Sequence, residues 1–338
     1  MVLAVCVGAT ALVQLFAQGN DDEALASGPQ TVAGARPLPP YVAPVFSSGA
    51  PTLAFLAVGD TGWSGPILDG VAAAMERTAS VLPFSFVCLL GDNFYHDGVQ
   101  SEADPLWQTV FEQVFTGPHL AVPFRAALGN HDHTGNVQAQ VEYSAKSTRW
   151  SMPGQYYSFV VPAGSGSEAE FFVLDTEAIR RGDRDKPEQM LWFEDKLTRS
   201  RARWKIVIGH HPIRSNGVHG SIDRVRRALE GPLEDHGVAL YLSGHDHDLE
   251  LLETDMGFLQ VVSGAGSSPR AMSWGDDTLF ASAAPGFVWA GIEGDELWFV
   301  FVDAARGPLF SRRFELGELV PESRREPAPR PERNASEG

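Results

Sequence analysis

Short apolar runs punctuate the chain from residue 51 onward, each fit for a strand and too short for a helix. Leu53–Val58, Phe84–Leu90, Pro123–Leu128, Trp204–Ile208 and Val238–Leu242 are of this kind. Between them lie segments with helical patterning: Pro66–Val81, Asp104–Phe115, Val137–Lys146, Pro187–Ser200 and Ile222–His236. Pro66 and Pro105 stand where a helix tolerates proline, and Asp104 reads as an N-cap. Gly231-Pro232 predicts a break in the last helix. Tyr156–Val161 and Glu170–Leu174 flank a Gly/Ser loop and predict a hairpin. Beyond residue 242 come strands without clear helices: Leu249–Glu253, Phe258–Val262, Phe287–Ile292, Leu297–Phe301 and Leu309–Phe314. Alternation first and strands last predicts a layered α/β protein with mixed sheets.

The two ends read differently. Residues 1–17 are almost wholly apolar, carry no charge, and fall short of the roughly 20 residues of a membrane span. A polar, proline-bearing stretch follows over 18–50. Together they read as an export signal and a flexible linker, so the protein is expected in the periplasm or outside the cell, without stable membrane attachment once the signal is removed. Residues 317–338, rich in Pro, Glu and Arg, predict a disordered tail. One folded domain, residues 51–316, is left between them.

Charge adds an exclusion. The 43 acids against 26 bases give a net charge of −17, which argues against a nucleic-acid surface. Two cysteines are too few for a disulfide scaffold, and Cys88, inside a strand-like run, reads as core. Two arginine clusters, Arg180/Arg181/Arg184 and Arg224/Arg226/Arg227, could bind anions, although a compositional bias toward arginine is the favoured account of them. A monomer is expected.

The chemistry lies in one recurring pattern. An apolar strand runs into glycine and then a side chain able to hold a metal: Gly59-Asp60, Gly91-Asp92, Gly129-Asn130, Gly209-His210 and Gly244-His245. Ligands bind beyond the carboxyl ends of strands in open α/β sheets, and glycine permits the tight turn there. One such pair is a common turn; five on successive strands are not explained as turns. Seven of the ten histidines fall in three of these segments. Asp60, Asp92 and Tyr95 are anionic oxygen donors; a phenolate needs a strongly acidic cation, for which ferric iron is the natural choice. Asn130, His210 and His245 are neutral donors suited to a divalent ion such as zinc, iron or manganese. His245 and His247 alternate and can face different metals, and Asp92 is a plausible bridge.

In order, the motifs are Gly59-Asp60-Thr-Gly62, Gly91-Asp92-Asn-Phe-Tyr95, Gly129-Asn130-His131-Asp132, Val207-Ile-Gly-His210 and Gly244-His245-Asp-His247. The chain thereby resembles the metallophosphoesterases, and specifically the small, tartrate-resistant branch of the purple acid phosphatases, over roughly residues 52–315. Gly62, where the wider superfamily carries a histidine, and the added Tyr95 mark that branch. The resemblance implies a four-layer αββα sandwich with two mixed sheets. It implies Fe(III) held by Asp60, Asp92, Tyr95 and His247, with Asp92 bridging to a divalent Fe, Zn or Mn held by Asn130, His210 and His245. His131 would steady the phosphoryl oxygens and His219 would protonate the leaving alkoxide, while a metal-bound hydroxide attacks a small phosphate monoester at acid pH.

Two departures accompany the resemblance. The stretch Glu177–Gln189 is shorter than the access-restraining loop of related animal enzymes, and the family's disulfide there is missing, with Arg181 and Arg224 near its place. A phosphodiesterase or nucleotide pyrophosphatase on the same metal pair is the first alternative; a non-hydrolytic iron-binding or redox protein is the second.

Overall fold

The computed structural model describes residues 31–164, 166–183 and 186–325. In chain order the strands are β1 (Val32–Ala33), β2 (Leu53–Val58), β3 (Phe86–Leu89), β4 (Phe124–Ala126), β5 (Trp150–Ser151), β6 (Tyr157–Gly164), β7 (Ser167–Val173), β8 (Trp204–Ile208), β9 (Leu240–Ser243), β10 (Leu249–Glu253), β11 (Leu259–Ser263), β12 (Met272–Ser273), β13 (Thr278–Ser282), β14 (Gly286–Glu293), β15 (Glu296–Asp303) and β16 (Gly307–Glu315). The helices are α1 (Pro66–Ala79), α2 (Val137–Tyr143), α3 (Thr176–Arg181), α4 (Lys186–Arg199), α5 (Asp223–Asp235), α6 (Leu316–Leu319) and α7 (Glu322–Arg325).

Two mixed seven-stranded sheets form the centre. The first runs β16-β15-β14-β2-β3-β4-β5 and the second β13-β10-β11-β9-β8-β7-β6. Each holds a block of four adjacent parallel strands, β2-β3-β4-β5 in one and β7-β8-β9-β11 in the other. Antiparallel strands flank both blocks. The sheets face each other through aromatic packing: Phe55 and Phe86 of the first meet Phe171 of the second, with ring centroids 5.2 and 5.3 Å apart.

Along the inner strands of the second sheet, alternate residues serve different layers. Ile206, Ile208, Leu240 and Leu242 join the core between the sheets. Phe172, Val207 and Tyr241 turn outward to pack with Phe193, Leu197, Leu229 and Leu233 of α4 and α5. Both faces are therefore covered, which is why these strands read as unbroken apolar runs. On the other outer face α1 buries Leu68, Val71 and Met75. The layers are those of the expected αββα sandwich.

Four expectations need adjustment. Helix α5 is continuous through Gly231-Pro232. Burying Leu229 and Leu233 completely stabilises by roughly 1.5–3 kcal/mol each, enough to offset the ~3 kcal/mol of an internal proline. The helix expected over Asp104–Phe115 is wound as a π-helix over Trp107–Glu112, with Gln113 N–H donating to the Gln108 carbonyl at 3.0 Å. The linker of 18–50 is laid against the domain over 31–50: β1 pairs with β12, and the Ser47 and Ser48 amides donate to Glu293. The tail is built into the fold as far as residue 325, with Leu316, Leu319 and Val320 buried. The export signal of 1–17, linker residues 18–30 and tail residues 326–338 lie outside the described residues. No helix among the described residues is long and apolar enough to cross a membrane.

Candidate metal centre

The carboxyl ends of the two parallel blocks meet at one seam. The Gly59 amide, just past β2, donates to Ser263 O at the end of β11 across the sheets (2.7 Å). Asp60, Asp92 and His245 have left-handed backbones (φ 57°, 50° and 70°), a conformation that costs a non-glycine residue roughly 1–3 kcal/mol. All three side chains turn into the seam. Glycine allows the approach: a Cβ on Gly129 would collide with the Asp92 carboxylate. A Cβ on Gly62 would fall 2.6–2.8 Å from the backbone and ring of Tyr95, so a histidine could not stand at 62 while Tyr95 occupies its place.

Two nests of lone pairs result. The Tyr95 hydroxyl lies 3.0 Å from Asp60 Oδ1, 3.3 Å from Asp92 Oδ2 and 3.1 Å from His247 Nε2. His247 Nδ1 is 2.6 Å from the Ser268 carbonyl, so Nδ1 carries that ring's proton and a neutral ring presents a bare Nε2. One hydroxyl proton thus faces three acceptors. In the second nest His210 Nδ1 donates to the Leu90 carbonyl (2.9 Å), and Nε2 faces Asn130 Oδ1 (3.1 Å), Asp92 Oδ2 (3.3 Å) and His245 Nδ1 (3.2 Å). Acceptors converging without enough protons between them are what a cation site requires. The carbonyl-fixed tautomers of His210 and His247 are typical of metal-ligating imidazoles. The residues present therefore fit a pair of metals sharing Asp92.

Burial opposes ionisation of Asp92, but the charge and hydrogen bond of His210, with those of His131, hold its carboxyl well below the usual range. Burial disfavours a charged His210, yet Asp92 and Asp60 push it up to about 10. Burial and both carboxylates raise the Tyr95 phenol, so only a strongly charged cation would ionise it.

Asp60, Asp92, Tyr95, His210 and His247 are buried; Asn130, His131, His219 and His245 are half-buried and reach the surface. A small cleft opens there, lined by Asp92, Asn130, His131, His219, His245, His247 and Arg270. His131 is aimed by two bonds, its amide to Asp92 Oδ1 (2.9 Å) and its Nδ1 to the His96 carbonyl (2.7 Å). The loop bearing His219 is held by Asp246, which accepts the His219 and Gly220 amides at 2.7 and 3.0 Å. All nine residues singled out in the sequence border this seam.

Several contributors escaped the sequence reading. Arg270, on the loop between β11 and β12, reaches the cleft with no motif to mark it. Asp246 was in view between two histidines, but only its backbone contacts reveal that it fastens the His219 loop. Asp175 follows β7 and binds His133 Nε2 through both oxygens at 3.0 Å while capping α3 at the Ala178 amide. His211 lies near His210 and His245; its Nδ1 meets Thr176 Oγ1 (2.9 Å), while its Nε2 has no hydrogen-bond partner among the described residues. The described arginines of the two clusters serve structure: Arg180 and Arg181 pair with buried Glu177, and Arg226 and Arg227 pair with Asp223. Arg224 donates to the Arg180 and Arg181 carbonyls at 2.9 and 2.8 Å, tying α5 to the end of α3 where the resembled family places a disulfide.

Similarity to known proteins runs along the same residues. A family model for calcineurin-like phosphoesterases matches residues 53–249. The chain is 34% identical over 311 residues to tartrate-resistant acid phosphatase type 5 of Homo sapiens, an alignment covering 80% of this chain and 93% of that protein. It is 32% identical over 284 residues to purple acid phosphatase 4 of Arabidopsis thaliana, covering 76% and 82%. Among solved structures, GAP50, the anchor in the inner membrane complex of Plasmodium, superimposes with a TM-score of 0.73 at 25% identity over 78% of this chain and 88% of that one.

Proposed function

The chain belongs to the calcineurin-like phosphoesterases and, within them, to the purple acid phosphatases, and from that premise we propose that it hydrolyses small phosphate monoesters at acid pH with an Fe(III)–M(II) pair. The observation that carries the iron assignment is Tyr95, set among Asp60, Asp92 and His247 with Gly62 clearing its ring. Asp60, Asp92, Tyr95 and His247 would hold Fe(III); Asn130, His210 and His245, with Asp92 shared, would hold divalent Fe, Zn or Mn. When bound, the pair would supply the positive charge that draws in phosphate and the acidified water that attacks phosphorus.

The chain's own residues do the rest. His131, its Nδ1 on the His96 carbonyl and its amide on Asp92, is set in the cleft lining where a phosphoryl oxygen would lie. Asp246 fixes the backbone of His219, so its ring stands at the cleft mouth for the leaving oxygen, stacked 4.5 Å from His245. The buried ligands keep water from their unused lone pairs. Export would place the enzyme outside the cytoplasm as a monomer.

Metal analysis with an absorption spectrum of the purified protein tests the reading. Iron with a broad visible band, and hydrolysis of 4-nitrophenyl phosphate faster at pH 5 than at pH 8, is the expected result. A colourless protein with full metal occupancy and no hydrolysis at either pH would sink it.

A further inference from the structure

The loop that carries His219 is fastened to a buried acid that does not line the cleft. Glu250, on β10, is fully buried. It accepts the Asn216 amide and Asn216 Nδ2, both at 3.0 Å, and its Oε1 lies 2.7 Å from Ser215 Oγ. The same Ser215 hydroxyl lies 2.5 Å from Asp246 Oδ2 and accepts the Gly217 amide at 3.0 Å. Asp246, also buried, holds the His219 and Gly220 amides. A Cβ on Gly217 would fall 2.4–2.6 Å from the Asp246 side chain, so the loop closes directly over that carboxylate.

A hydroxyl has one proton and two lone pairs. At Ser215 one lone pair takes the Gly217 amide, and the single proton faces two carboxylates. Every group is satisfied when Glu250 carries a proton of its own. Glu250 then donates to Ser215, Ser215 donates to Asp246, and Asp246 keeps the two loop amides. Without that proton, two buried carboxylates compete for one hydroxyl, at a cost in desolvation and mutual repulsion. The surroundings favour the proton. Asp246 stands across Ser215, and Asp277 across Asn216, 3.5 Å from its Nδ2. Asp248, two residues before Glu250, has a buried Oδ1 with no hydrogen-bond partner among the described residues. The neighbouring strands β11 and β13 set Val262 and Ala281 opposite Glu250. Arg214, next to Ser215, turns its Nη2 to Asp255 (2.6 Å) and Glu230 (3.5 Å). Burial raises the Glu250 carboxyl to about 7 against the hydrogen bonds of Ser215 and Asn216, with the charge of Asp246 adding to the rise.

We propose that Glu250 is a positioning residue for His219: protonated, it locks the 215–220 loop through Ser215 and Asp246, and when its proton passes to solvent the loop loosens and His219 leaves its place beside the leaving group. The acid preference of the reaction then has a source on this loop, separate from the metals. This inference rests on the phosphatase reading above and deepens it.

The test compares metal-loaded wild type, Glu250→Gln and Glu250→Ala between pH 5 and pH 8. Glutamine reproduces the protonated acid, with an N–H for Ser215 and an oxygen for Asn216, and does not ionise. Two substrates separate the role of His219: glycerol 2-phosphate, whose alkoxide must be protonated as it leaves, and 4-nitrophenyl phosphate, whose phenolate leaves with little help. Protection of the 215–220 amides against hydrogen exchange reads the loop without turnover. At pH 8 roughly nine-tenths of wild-type Glu250 is ionised, so the ratio of kcat at pH 8 to kcat at pH 5 on glycerol 2-phosphate should be up to about tenfold higher in Glu250→Gln than in wild type. On 4-nitrophenyl phosphate that ratio should differ less than about threefold, with KM little changed on either ester. Loop protection should fall between pH 5 and pH 8 in wild type and persist in Glu250→Gln. Glu250→Ala should lose roughly ten- to hundredfold in kcat on glycerol 2-phosphate at pH 5 and lack protection at both pH values. A glutamine variant whose pH ratios or loop protection follow those of wild type overturns the proposal. Should Glu250→Ala fail to fold, Glu250→Gln decides alone. If the wild type hydrolyses neither ester, the phosphatase reading fails, and the exchange profiles still judge Glu250.

Discussion

Beyond β2, β3 and β4 stand Asp60, Asp92 with Tyr95, and Asn130; beyond β7, β8 and β9 stand Asp175, His210 and His245. The two parallel blocks share one device, a buried strand that runs out near a potential ligand, yet they supply different elements. The first sheet brings oxygen and the second brings nitrogen. Negative charge is confined to one side of the seam, so a cation of high charge would settle near Asp60 and Tyr95 and a divalent one near His210 and His245. Asp92 alone has close contacts in both nests. The acid of the second block, Asp175, is turned away from the seam to hold His133 and cap α3. Its withdrawal leaves Asp92 as the carboxylate facing His210, and asymmetry between the metals would follow from the share of oxygen and nitrogen donors in each nest, both sheets contributing to both.

The comparison can be broken most severely at Asp92. Asp92→Asn should lower phosphatase activity on the order of a thousandfold or more and reduce the content of both metals, because the lost charge serves both nests. Retention of either metal at full occupancy would mean the two sides do not depend on a shared carboxylate. His210→Ala should then separate them: the divalent metal is lost, iron stays, and activity falls by roughly a hundredfold or more. Loss of iron with it would dissolve the distinction. Tyr95→Phe sharpens the oxygen side, with the visible band gone while the fold, followed by circular dichroism, stays.

Smaller effects belong to the residues behind the ligands. Asp175→Asn should cost roughly ten- to a hundredfold in activity, as expected for a group that orients the His131–His133 loop. It should also flatten a pH effect on stability. Burial disfavours the charged form of His133, but the hydrogen bond and charge of Asp175 outweigh it and raise the histidine above its ordinary value of 6.5. A raised folded-state value stabilises fully below the unfolded one and is lost as pH rises through the folded one. Melting temperatures of the metal-free protein, followed upward from pH 6, should fall in the wild type and fall less in Asp175→Asn. Least of all, Arg224→Ala should lower stability by about 1 kcal/mol through its two exposed hydrogen bonds, with activity unchanged.

The nitrogen and oxygen ligands were legible because each follows a buried strand directly, and a strand covered on both faces leaves an apolar run ending at the ligand. Trp204–Ile208 and Leu249–Glu253 match their strands residue for residue. What stayed hidden depends on distance along the chain. Arg270 meets His219 across 51 positions, and Asp175 meets His133 across 42, with no local pattern to announce either. The two-residue strands β1, β5 and β12 exist only because a partner strand lies beside them. The unbroken α5 escaped for another reason: local rules weigh Pro232 without seeing the sheet against which Leu229 and Leu233 pack.

The pairing of Val32–Ala33 with Met272–Ser273 has a practical corollary. An affinity tag or fluorescent protein fused directly before residue 31 would pull on the backbone two residues from Arg270. Recombinant preparations that differ only in their leader are therefore not interchangeable assay reagents, and a tag at the other end of the chain is the safer choice for kinetic work.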